Sequence, residues 1–145
     1  MPNPIYTNPT RHPEDTGVHI IGREINLGVV GLATGQLPIG ALGTNAVPLR
    51  AGVTILTAFN AETTNVLEFG TTGDPDYLIT SANAAAGTLG KKDGTGVGIG
   101  QPLAADTVFY AKFTQTGAAA TTGKALVWVE AFISRTENPA LTAGV

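Results

Sequence analysis

With 145 residues the chain has the length of one domain, enough to bury roughly two-thirds of its extended-chain surface around a single core. Charged residues make up 13% of it, about half the ~25% of an ordinary soluble domain, while hydrophobic residues stand at an ordinary 43%. The net charge of −3 with eight Lys plus Arg argues against nucleic-acid binding, and the absence of cysteine excludes a disulfide framework or a thiolate metal site.

The chain opens with a leader, residues 1–19, punctuated by Pro2, Pro4, Pro9 and Pro13. Each proline fixes φ and removes a backbone donor, so this stretch suits neither a helix nor the inside of a sheet. A segment that cannot stabilise itself internally takes its order from something else. The leader is therefore expected to be an extended N-terminal arm that docks on a neighbouring subunit, with Pro2, Pro4, Ile5, Tyr6, Pro9 and Pro13 as the inter-subunit contacts. Its start, Met-Pro-Asn-Pro, has neither the basic nor the apolar region of a signal peptide. No run of ~20 apolar residues could span a membrane, so no membrane partner is expected and synthesis in a cytoplasm is.

Apolar residues then alternate at strand spacing through a body expected over 20–135. Residues 20–32 read as the first strand, with Ile21, Arg23, Ile25, Leu27 and Val29 on one parity and Ile20, Gly22, Glu24 and Asn26 on the other. Gly and Pro breakers make 34–48 an expected irregular crossover. In 51–59, Val53, Ile55, Thr57 and Phe59 alternate with Thr54, Leu56 and Ala58, and two mostly apolar faces predict a central strand covered on both sides. Residues 64–70 follow as a strand across a hairpin connection at 60–63. Turn chemistry fills 71–76, Tyr77-Leu78-Ile79 is a short strand or a single helical turn, 81–87 a brief helix, and the glycines and Lys91-Lys92-Asp93 of 90–100 a flexible tip.

The strongest alternation comes last. Phe109, Ala111 and Phe113 alternate with Val108, Tyr110 and Lys112 in 107–116. In 124–134, Leu126, Trp128, Glu130 and Phe132 alternate with Ala125, Val127, Val129, Ala131 and Ile133. The short link 117–123 predicts that these two strands pair antiparallel, with Glu130 and Trp128 on the wetter face. Residues 136–145 read as a loose tail. About seven short strands without a long helix predict an all-β fold, an antiparallel β-sandwich of jelly-roll or Greek-key kind. Its core should contain Val53, Ile55, Phe59, Phe69, Phe113 and Val127.

No catalytic, cofactor-binding or metal-ligating residue is assigned. A Ser or Thr nucleophile needs a positioned base, and the two histidines, His12 and His19, fall in the leader, away from Ser81 and Ser134. Asp74 and Asp76 with Glu62 or Asp106 could hold calcium, but aspartates in a turn more commonly satisfy nearby backbone donors, and the turn reading is preferred. The alternate glycines from Gly94 to Gly100 lack the Lys-Ser/Thr and the helix of a phosphate loop. Glu68 and Glu130 could be imagined as a glycosidase pair, yet the 6% aromatic content does not supply a sugar-binding cleft.

Several strand-and-turn phrases carry a family likeness: Pro-Ile-Gly-Ala at 38–41 with Val-Thr-Ile-Leu-Thr-Ala-Phe-Asn at 53–60, and Thr-Thr-Asn-Val-Leu-Glu-Phe-Gly-Thr at 63–71 with Asp-Pro-Asp at 74–76. Ala-Asp-Thr-Val-Phe-Tyr-Ala-Lys-Phe at 105–113 and Thr-Gly-Lys-Ala-Leu-Val-Trp-Val-Glu-Ala-Phe-Ile at 122–133 complete it. Through them the body resembles the jelly-roll decoration, or cement, proteins of tailed-bacteriophage capsids. The resemblance implies a non-enzymatic virion protein without cofactors, a homo-oligomer and commonly a trimer. Such a protein sits on the outside of the head, bound to the major capsid protein. Two other roles stay open to the sequence: a head-fibre, tail or baseplate protein whose 90–100 loop binds a host receptor, and a carbohydrate-binding module or small hydrolase.

Overall fold

The computed structural model describes residues 17–28 and 35–133, and these form a two-layer all-β sandwich. Its strands are β1 (Gly17–Asn26), β2 (Gln36–Leu42), β3 (Val47–Thr57), β4 (Thr64–Gly70), β5 (Gly90–Asp93), β6 (Thr107–Thr116) and β7 (Lys124–Ile133). One sheet runs β1-β7-β3-β5 and the other β2-β6-β4, with every pair antiparallel. A jelly roll has eight strands in two sheets of four. Its missing strand would lie beside β4, where the chain makes only isolated bridges, Phe69 to Ile79 and Val66 to Ala85. Backbone bonds from Leu67 N to Ala84 O and from Ala86 N to Asn65 O continue that irregular edge, and Ser81–Asn83 between them is one 3-10 turn, not the expected helix.

Alternation decides which side chains meet between the layers. Ala125, Val127, Val129 and Ala131 of β7 point inward, as do Val53 and Ile55 of β3, Leu67 and Phe69 of β4, and Phe109, Ala111 and Phe113 of β6. All six residues expected in the core are buried there. Phe59, just beyond β3, meets Phe113 with ring centroids 4.6 Å apart and ties the crossing segment to the opposite sheet.

Five expectations about the strands are corrected. The segment 34–48 is mainly strand: β2 absorbs its breakers because it is an edge strand, where Pro38 is tolerated, and because a register shift falls between Pro38 and Gly40. Residues 60–63 are not a hairpin, since β3 and β4 belong to different sheets. Likewise β6 and β7 do not pair; 117–123 carries the chain from one layer to the other. Short links join sheets as readily as neighbours when the layers are packed about 10 Å apart. The fourth correction concerns 90–100. Residues 90–93 form β5 against Gly52–Ile55, and the glycines that follow allow close backbone approach: Gly98 N donates to Tyr77 O at 2.8 Å, and a Cβ on Gly98 would collide with the Tyr77 ring. The first strand also begins and ends earlier than its reading over 20–32, taking in Gly17, Val18 and His19 opposite Ile133, Phe132 and Ala131.

Candidate interaction face

The outer face of the β1-β7-β3-β5 sheet is built from the parity opposite the core. Along β7 it presents Lys124, Leu126, Trp128, Glu130 and Phe132, and along β1 Val18, Ile20, Gly22 and Glu24. Val18 lies directly opposite Phe132, and Ile20 opposite Glu130. Two bulges in β3 enrich the face further: register shifts between Pro48 and Arg50 and between Ile55 and Thr57 leave Leu49 and Leu56 exposed. Ile20 is 67% exposed and Val18 55%, both large apolar side chains on one contiguous surface. The expectation that β3 is covered on both sides is thus corrected: it is central in its sheet, yet among the described residues no second layer packs over its outer side, which only side chains of the same sheet cover.

Trp128 occupies the middle of the face because its cross-strand neighbours are both glycines, Gly22 on β1 and Gly52 on β3. The indole spreads over Gly52, where an added Cβ would come within 2.5 Å of Cζ2; at Gly22 it would come within 2.9 Å of the Val127 carbonyl. The ring is thereby pressed flat on the sheet, with Lys91 Nζ above it at 5.9 Å from the centroid.

Charges on this face are paired among themselves. Arg50 Nη2 reaches Glu130 Oε2 at 2.6 Å, Lys124 Nζ reaches Glu24 Oε1 at 2.9 Å, and Lys91 Nζ reaches Asp93 Oδ1 at 2.6 Å. The hydrogen bond and charge of Glu130 hold the Arg50 guanidinium above its ordinary pKa, with Asp93 adding to the effect. Three cations meet three anions, so the face combines apolar side chains with a net charge near zero.

The residues weighed for chemistry are scattered. Glu130 points out from one sheet and Glu68 from the other, so the two carboxylates lie on opposite sides of the sandwich and cannot flank one bond. Glu68 accepts from the Ser81 hydroxyl and lies 3.9 Å from Lys112 Nζ. His19 is a β1 residue opposite Ala131; His12 and Ser134 lie outside the described residues.

Glu62 and Asp106 do not approach Asp74. Glu62 accepts from Ala118 N, and Asp106 accepts from both the backbone N–H and the hydroxyl of Thr44, which holds its carboxyl below the usual range. Asp74 serves a turn: its carbonyl accepts from Thr71 N and its N–H donates to Thr71 Oγ1. Its carboxyl is held above the ordinary value by a hydrogen bond with Asp76, with burial adding to the effect.

The arm residues Pro2, Pro4, Ile5, Tyr6, Pro9 and Pro13 lie outside the described residues, as does the tail over 136–145. What the sequence reading missed is the surface itself. Its signal was legible in β7, where Leu126, Trp128 and Phe132 share the parity opposite an already complete apolar row.

No family model matches the chain, and no curated protein does. Solved structures do. A chain of the cyanophage Pam1 capsid asymmetric unit superposes with a TM-score of 0.62 at 18% identity, covering 82% of this chain and 86% of that one. A chain of the acidic stable capsid of the Helicobacter pylori bacteriophage KHP30 gives 0.59 at 13% identity, covering 83% and 94%. A chain of the Ralstonia phage GP4 capsid gives 0.55 at 16% identity, covering 85% and 86%. At these identities the likeness is one of fold: the jelly-roll sandwich described here is shared with chains of three phage capsids.

Proposed function

We propose that this chain is a non-enzymatic structural protein of a phage virion, a decoration protein that binds the outside of a tailed-phage head and stabilises the shell. The observation that carries the reading is the fold shared with chains of three phage capsids over more than four-fifths of this sequence. The apolar, charge-paired sheet face supports it, because monomeric soluble proteins seldom leave such a surface to water. On this reading the partners are the major capsid protein and further copies of the chain, assembled as a trimer. The proline-rich leader contributes contacts between subunits, and multivalent seating on a repetitive shell converts weak single contacts into firm retention.

The test is co-sedimentation with capsids that lack the chain. The full-length protein is expected to sediment with them to a saturating stoichiometry. A variant without residues 1–13 should keep the β-sheet circular dichroism of the folded body and remain in the supernatant. Full-length protein that stays in the supernatant would overturn the decoration role, and a truncated chain that sediments equally well would overturn the role of the arm.

A further inference from the structure

We propose that the outer face of the β1-β7-β3-β5 sheet is the receptor for residues 1–10 of a second copy of this chain, laid across Trp128 as a proline-rich strip. The inference rests on reading the chain as an assembly protein and adds which surface receives the arm and how.

Charge is the first argument. The face neutralises itself through Arg50–Glu130, Lys124–Glu24 and Lys91–Asp93, so a charged partner would have to break those pairs. Residues 1–10, Met-Pro-Asn-Pro-Ile-Tyr-Thr-Asn-Pro-Thr, carry no charged side chain, and the first one in the sequence is Arg11.

Chemistry is the second. Pro2 and Pro4 share one parity and Pro9 has the other, so neither side of this segment offers a complete row of donors to a sheet edge. Proline-rich segments instead dock on exposed aromatic surfaces, exploiting a backbone already restricted before binding. The face offers such a surface: an indole held flat by glycines on both sides, bordered by Val18, Ile20, Leu126 and Phe132.

Reach is the third. A ten-residue proline-rich strip spans about 31 Å at ~3.1 Å per residue, close to the ~33 Å of a ten-residue strand such as β7. Residues 11–16 remain as the link to the donor body. They join it at Gly17, which lies opposite Ile133 in the β1-β7 pairing. That the acceptor is a second copy follows from the proposed role of the leader in contacts between subunits, and docking on the chain's own face is the outcome that the double variant below would reveal.

The absence of cysteine makes the test clean. Single-cysteine full-length chains Ile5→Cys and Ile20→Cys are mixed and treated with a short bis-maleimide. The control replaces Ile20→Cys with Val97→Cys, at a residue that is 73% exposed against 67% for Ile20 but lies off this face. Exchange predicts at least tenfold more covalent dimer from the first mixture than from the control, and loss of that excess when Phe132→Ser is added to the Ile20→Cys chain. Equal yields would overturn the proposal. So would a double variant, Ile5→Cys with Ile20→Cys, that cross-links within one chain and runs as a monomer, because the arm would then cover its own sheet. Capsid co-sedimentation of the unmodified protein separates the two levels. A chain that sediments but gives no excess cross-link refutes the arm exchange alone, and one that cross-links but does not sediment refutes the decoration role alone.

Discussion

Trp128 owes its orientation to two residues that have no side chain. Gly52→Ala introduces a methyl where the indole lies, so the ring must lift or the strands must part. Overpacking of this kind costs typically ~1–3 kcal/mol. Because the chain has one tryptophan, its fluorescence reports this site alone. The variant is expected to melt at lower temperature with a red-shifted emission maximum, and an unchanged maximum would mean that Gly52 does not position the ring. Two aspartates are expected to respond to pH in opposite senses. The Thr44 donors lower the Asp106 pKa in the fold, so its stabilising contribution is present above the unfolded value of ~3.9 and fades as pH falls through the lower folded value. Asp106→Ala should therefore lower Tm at pH 7 and have a much smaller effect at pH 2, as thermal melts at the two pH values will report. The Asp74 pKa is raised, so its stabilising contribution belongs to the acid side and is lost as pH climbs from the unfolded to the folded value. Asp74→Asn, which can still donate to Asp76, should leave Tm at pH 7 unchanged or higher.

At the scale of the element, the two faces of one strand have different duties, and substitutions should separate them. Phe59 is 1% exposed and joins the layers through Phe113, so Phe59→Ala should cost ~3–5 kcal/mol in urea unfolding. Phe132, on the outer face and 38% exposed, should change the stability of the isolated body by under about 1 kcal/mol when replaced by Ala. The same separation explains what could be read from the sequence. Alternation names the face of every residue, and so the parity of β3, β4, β6 and β7 and the six core residues were legible. Alternation does not name a strand's neighbour. The short links 60–63 and 117–123 look like hairpin connections, yet each crosses between sheets, because that choice is made by which apolar rows pack together and not by the link. The glycines of 94–100 misled for a related reason. In one dimension they signal freedom, while in the fold Gly96 and Gly98 admit the Tyr77 backbone and ring at distances no Cβ would allow. The outer face was half legible: the second apolar row in β7 is visible in the sequence, but alternation alone does not tell an exposed row from a covered one.

For the whole molecule, a sandwich of this size closes its core between the layers, and most of the large apolar residues left exposed among the described residues lie on one sheet. The described body buries an aromatic and aliphatic core between its layers. Outside it, Val18, Ile20, Leu49, Leu56, Leu126 and Phe132 remain on the β1-β7-β3-β5 side with their charged neighbours paired off. Low overall charge and a self-neutralised face both favour association over solvation. On the proposed decoration role such a sandwich needs no cleft, since its product would be a contact. The most direct measurement is a cryo-electron microscopy reconstruction of the phage particle to which the proposed role assigns this chain. The expected result is the seven-strand sandwich repeated over the outer surface of the head, each copy's β1-β7-β3-β5 face covered by the leader of a neighbour. A particle whose head surface lacks the sandwich, or one in which that sheet face stands open to solvent, would contradict it.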